Sequence, residues 1–145
     1  MNENLELIMH MFTASDMGVY TTTNLINLLN KKENKIKHLL ETELKEYEKF
    51  LSISEDILKR NDVEPKSSGM MAKLGSDISM TMDTMKDNSD SAVAGILIQG
   101  FTMGVIEIET KMKRYKSVCD KRYLKIANDF LKFHKTEIEK LKLFL

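Results

Sequence analysis

Only one proline, Pro65, and six glycines occur in a chain of 145 residues. Few other features constrain a fold so strongly. A chain with so few breakers, and with abundant Leu, Lys, Glu and Met, favours long helices over strands and turns. No alternating β-branched run of useful length competes. The expected class is all-α. From about Tyr20 to Asn61, Leu29, Glu33, Ile36, Leu40, Glu43, Tyr47, Phe50, Ser54 and Ile57 recur at alternating spacings of four and three. That is the seam of a left-handed helical bundle. Leu44, Leu51 and Leu58 widen the seam into a face.

The segmentation follows from caps and breaks. Asn4 to Phe12 reads as a short amphipathic helix, and "TASDMG" as the turn that ends it. Helix A then covers about Tyr20 to Asn61, with "NKKEN" as a point of interruption. "DVEPKSSG" is a loop in which Ser67 or Ser68 can cap helix B, about Gly69 to Lys86. "DNSD" is a compact turn whose Ser89 or Asp90 can cap helix C, about Ser91 to Ser117. Asp120 caps helix D, which runs to the end. The expected domain plan is one unit, 1–145: a short helix and turn over 1–18, then a four-helix bundle over 19–145. Short links make the natural packing an antiparallel bundle.

Charge and cysteine usage narrow the setting. Lys plus Arg and Asp plus Glu number 22 each, a balance that excludes a broad nucleic-acid surface. Cys119 is the only cysteine, so no internal disulfide forms, as suits a reducing cytoplasm. The N-terminus, "MNENLELIMHMF", has acids where a secretory signal has lysines. The most apolar run, Ala92 to Ile106, is shorter than a bilayer span and contains Gln99. The expectation is a cytoplasmic protein with no membrane partner. Heavy use of Lys, Asn and Ile with no Trp suits an AT-rich bacterial genome. Helix C is apolar nearly all round in its first half, which points to a homodimer interface or a central position. Gly100 and Gly104 on it let another backbone approach closely.

Ionisable residues on the apolar stripes are the candidates for chemistry, because a buried charge must be paired, protonated or bound to metal. They are Glu43 on helix A, Asp77 on helix B, Glu107 on helix C, and His134 with Glu137 on helix D. Residues three apart on a helix point the same way, so His134 and Glu137 can act together. Counted from the C–D turn, Glu107 and His134 are nearly level, at about 18 and about 22 Å. Counted from the A–B loop, Glu43 and Asp77 are not, at about 28 and about 13 Å. The bland alternative is a neutral core histidine with acids paired to Lys111 and Lys140. Met70, Met71, Met80, Met82 and Met85 crowd helix B, as in an adaptable binding surface or a flexible core. Cys119, with Lys121 and Arg122 nearby, has the setting of a lowered thiol pKa.

"IANDFLKFHKTEIEKLKLFL" resembles the last bundle helix of rubrerythrin-like and related bacterial ferritin-like domains, and "ETELKEYEKFL" is similar to the family's Glu and Tyr pattern. The resemblance covers roughly Leu25 to Leu145. It implies a ferritin-like bundle that binds two irons, or another divalent metal, through a Glu from each of two helices and Glu-x-x-His from each of the other two. The chain departs from that pattern. His134-Lys-Thr-Glu137 reverses the order, helix B has no histidine, and the short B–C link lacks the family's long crossover. The functional expectation is a ferritin-like protein of structural or interaction role without a complete di-iron site. An iron-binding protein or oxidoreductase using Glu107, His134, Glu137, Glu43 and Asp77, and a partner-binding module built on the Met-rich helix, are the alternatives.

Overall fold

A computed structural model of the chain describes residues 2–29, 34–66 and 87–145. These residues form four α-helices and no strand: α1 (Glu3–Leu28), α2 (Lys37–Arg60), α3 (Asp90–Tyr115) and α4 (Lys121–Lys142). Helix B, with Asp77 and its five methionines, lies outside the described residues.

α1 corrects the reading of the N-terminus. It runs unbroken through "TASDMG", where a turn was expected. The polar residues there are small and serve the interior of the protein. Thr13 and Ser15 are buried, and the Thr13 hydroxyl donates back to His10 O at 3.0 Å. Gly18 lies beneath the Tyr47 ring of α2, where a Cβ would come within 2.3 Å of Cε1. A helix that must pass under an aromatic ring can carry a glycine at that step at a propensity cost of about 1 kcal/mol. The N-terminus is capped by Asn2, whose Oδ1 accepts from Leu5 N at 3.0 Å. Glu3 and Glu6 sit favourably at the positive end of the helix dipole. The expected helix A is two helices: its first part completes α1, and its second is α2. Of the expected point of interruption, "NKKEN", only Asn34 is described, and it lies before α2; the other four residues lie outside the described residues.

α2 ends in a Schellman motif. Val63 N donates to Leu58 O at 2.9 Å and Asp62 N to Lys59 O at 3.1 Å. The geometry requires Asp62 at φ 57°, the left-handed region. The helix therefore stops before Pro65. α3 begins where expected, with the Ser89 hydroxyl accepting from Ala92 N at 3.3 Å. Asp120 caps α4, its Oδ1 accepting from Arg122 N at 3.0 Å.

Two polar joints tie the ends together. The Asp90 carboxylate at the start of α3 accepts from Asn34 Nδ2 at 2.9 Å and from Lys35 N at 3.1 Å, both just before α2. At the other joint, Asn4 Oδ1 accepts from Asp120 N at 2.7 Å, and the Tyr115 hydroxyl donates to Glu6 Oε2 at 2.5 Å. Between the joints all four helices contribute to one core, including Leu7, Met11, Leu40, Phe101, Phe130 and Leu141. α1 packs chiefly on α2 and α3 on α4, while the α2 and α3 backbones do not come close to each other.

α3 is not the fully enclosed helix its composition suggests. By length and composition it could cross a membrane, because the apolar run lies within 26 continuous helical residues. Only 22% of its most apolar 18-residue stretch is buried.

Candidate functional site

The stripe residues converge where α2, α3 and α4 meet, with α1 closing one side. On α4, His134 is 3% exposed, and its Nδ1 lies 2.9 Å from Phe130 O, one helical turn back. That contact assigns Nδ1–H as donor and leaves the lone pair on Nε2. Phe130, Phe101, Phe133 and Tyr47 surround the ring, with centroids 4.5, 5.2, 5.4 and 6.2 Å away. Its Nε2 edge rests on the α3 backbone: a Cβ at Gly104 would lie 2.8 Å from Nε2. Burial among apolar rings disfavours the imidazolium and lowers the His134 pKa to about 4, against the opposing hydrogen bond to Phe130.

One turn along α4 from His134, Glu137 is 3% exposed and meets Glu43 of α2, which has no exposed surface. Burial, then the hydrogen bond and charge of the Glu137 carboxyl, push the Glu43 pKa far above the carboxylate range; Lys140 opposes this. Glu43 therefore keeps its proton at neutral pH. Lys140 Nζ reaches Glu137 Oε1 at 3.4 Å from the solvent side. Both Glu43 oxygens and Glu137 Oε2 are buried without a well-formed hydrogen bond. Tyr47 is half-buried beside this pair. Burial, then the Glu43 and Glu137 carboxyls, hold its pKa well above 10.

Glu107 does not join this group. It points to α1, where its carboxylate lies 4.0 Å from His10 Nε2 and is 40% exposed. Burial, followed by the Lys111 ammonium and by the repulsion that two protonated rings at His10 and His134 would feel, lowers the His10 pKa to about 4. The contact is therefore not an ion pair at neutral pH. The level partner of His134 on α3 is Gly104, one turn before Glu107. The sequence ruler was correct to within a turn, but a turn decides which side chain faces the imidazole.

His10, Gly104 and the Ser15–Gly18 step were missed as parts of the site. His10 follows Leu7 at i+3, and that spacing was a usable signal once α1 was known to continue. Cys119 also departs from expectation. Burial and the nearby acids Glu3 and Glu6 raise its pKa, opposite to the effect expected of Lys121 and Arg122.

A two-metal centre of the kind the resemblance implies needs four carboxylates and two imidazoles directed at one volume. Among the described residues no three His, Cys, Asp or Glu side chains converge as metal ligands. His134 turns its lone pair onto a glycine backbone, and Glu43 holds a proton. The described residues do not fit the group. Their arrangement buries a protonated Glu43 against Glu137 and seats a neutral imidazole in an aromatic cage. A shallow groove of about 640 Å³ between α2 and α4, floored by Phe50 and Phe133, reaches Glu137 from outside. No family model, curated protein or solved structure matches the chain.

Proposed function

We propose that the chain is a ferritin-like antiparallel four-helix bundle of the bacterial cytoplasm that serves as a structural and interaction module, not as a di-iron enzyme. The observation that carries this reading is the state of its centre. Glu43 retains a proton, His134 is neutral and sealed against Gly104, and Tyr47 closes over Gly18. Such groups set packing register, a role buried polar residues have in some bundles.

The helix directions support the ferritin-like part. Glu43 meets Glu137, and Phe50 meets Phe130 at 4.9 Å, so advancing along α2 means receding along α4. Asn4 beside Asp120, and Asn34 beside Asp90, bring α1's start to α4's start and α1's end to α3's start. On this reading α2 ends at the Asn4 end while α3 begins at the opposite one. On the same reading α2 and α3 run in the same direction. A pair of parallel helices of this kind is what the long crossover of ferritin-like bundles joins.

A second reading, a metal-binding protein, is favoured by the three carboxyl oxygens left without a good donor. Metal analysis of protein purified without chelators, with anaerobic Fe(II) titration, separates the two. The structural reading expects no stoichiometric iron, manganese or zinc. Stoichiometric metal that is lost in both Glu43→Ala and His134→Ala would overturn it in favour of the second.

A further inference from the structure

The two sides of α3 differ sharply. Val93, Ala94, Phe101, Ile108 and Tyr115 face inward. The opposite stripe, at helical spacing, is Ala92, Ile96, Gln99, Met103, Ile106 and Thr110. Met103 is 51% and Ile106 59% exposed. No charged residue lies between Asp90 and Glu107. Gly95 and Gly100 flank the stripe, and a Cβ on either would meet nothing within 4 Å. Gly104 has an internal reason to be glycine; these two have none, although each weakens the helix by about 1 kcal/mol.

We infer that this outer stripe of α3 is a self-association surface and that its occupant is a second copy of the chain, with the two α3 helices running in opposite directions about a two-fold axis. The inference rests on the interaction role proposed above and names the partner that role leaves open. Charge complementarity carries the choice of partner. Lys113 and Arg114 form the basic last turn of α3, while exposed Asp87 and the acidic first turn lie at its start. An axis midway between Gln99 and Met103 sets the basic end of each copy beside the acidic start of the other, and the helix dipoles then oppose favourably. The same register matches Met103 with Gln99, Ile106 with Ile96, and Thr110 with Ala92. It brings the two Gln99 amides to about 6 Å along the axis, within reach of each other. A polar pair of that kind selects one register over its neighbours. The outward glycines let the helix backbones approach closely. The stripe spans about 27 Å, a length suited to a modest interface.

Sedimentation equilibrium of the full chain, from about 1 to about 200 μM, tests this directly. The wild type should change from monomer to dimer, and Ile106→Glu should raise the dissociation constant by at least about tenfold with an unchanged far-ultraviolet circular dichroism spectrum. Lys113→Glu with Arg114→Glu should weaken the dimer, and adding Asp87→Lys should restore it. That rescue requires an interface, since a folding defect would not be repaired by it. A wild type that is monomeric throughout overturns the inference, as does a dimer that Ile106→Glu leaves unchanged. A monomer whose melting temperature Ile106→Glu lowers would mean that the chain itself occupies the face. Co-sedimentation with phosphatidylglycerol–phosphatidylcholine vesicles would mean a membrane does. Either overturns the inference. Stoichiometric iron would remove the proposed function and leave the sedimentation result standing.

Discussion

Gly104 of α3 forms the surface on which the His134 imidazole rests, with a Cβ at that position only 2.6 Å from Cδ2. Gly104→Ala must push the ring out of its aromatic cage or spread α3 from α4. Overpacking of this kind typically destabilises by about 1–3 kcal/mol. Gly100→Ala adds its methyl to open space and should stabilise by up to about 1 kcal/mol through helix propensity. Urea denaturation of the two variants checks the contrast. In the His134→Ala background the Gly104→Ala penalty should shrink, because residues in contact are not additive.

Glu43 gives a pH dependence of definite sign. Its folded pKa is raised above the unfolded value, so its stabilising effect is complete below about pH 4.5 and fades as pH rises toward the folded pKa. Glutamine has the shape of the protonated acid and does not titrate. Glu43→Gln should therefore match wild type within about 1 kcal/mol at pH 5 and surpass it increasingly up to pH 8. The limiting slope is about 1.4 kcal/mol per pH unit. Melting curves of both proteins at each pH make the comparison.

His10 and His134 act in the opposite direction. Both folded pKa values are lowered from 6.5 to about 4, so stability is complete above pH 6.5 and declines as pH falls toward 4. For His134 the full loss is bounded by about 3 kcal/mol. With Glu43 eroding stability from the alkaline side, the wild-type optimum should fall on the mildly acidic side of neutrality. His134→Gln should flatten the acid limb of the melting-temperature profile.

Asp62 holds φ 57° to close the Schellman motif at the end of α2. Glycine enters that region without a Cβ penalty. Asp62→Gly should stabilise by about 0.5–1 kcal/mol, measurable as a rise in the urea midpoint with no change in slope.

Much of this was legible in the chain. Titratable groups on apolar stripes marked Glu43, His134 and Glu137, and all three are buried together, because burying such groups without purpose is expensive. Caps marked Ser89 and Asp120. What failed were judgements about small residues. Thr13, Ser15 and Gly18 have the composition of a turn, and only the Tyr47 ring from a distant segment makes a buried helix of them. Glu107 has the period of a core acid, yet the helix phase turns it toward His10. The level partner of His134 is a glycine, which carries no chemical signal until the imidazole is placed on it. Asp77 and the methionines of helix B fall outside the described residues.

At physiological pH Glu43 carries its proton and His134 is neutral. A site-resolved NMR titration tests this most directly, following the Glu43 carboxyl carbon and the His134 ring nitrogens of the intact protein. Glu43 should show no ionisation through pH 7, and His134 should remain a neutral Nδ1–H tautomer down to about pH 5. A Glu43 carboxyl that ionises below pH 5, together with a His134 ring that protonates near 6.5, would contradict the account.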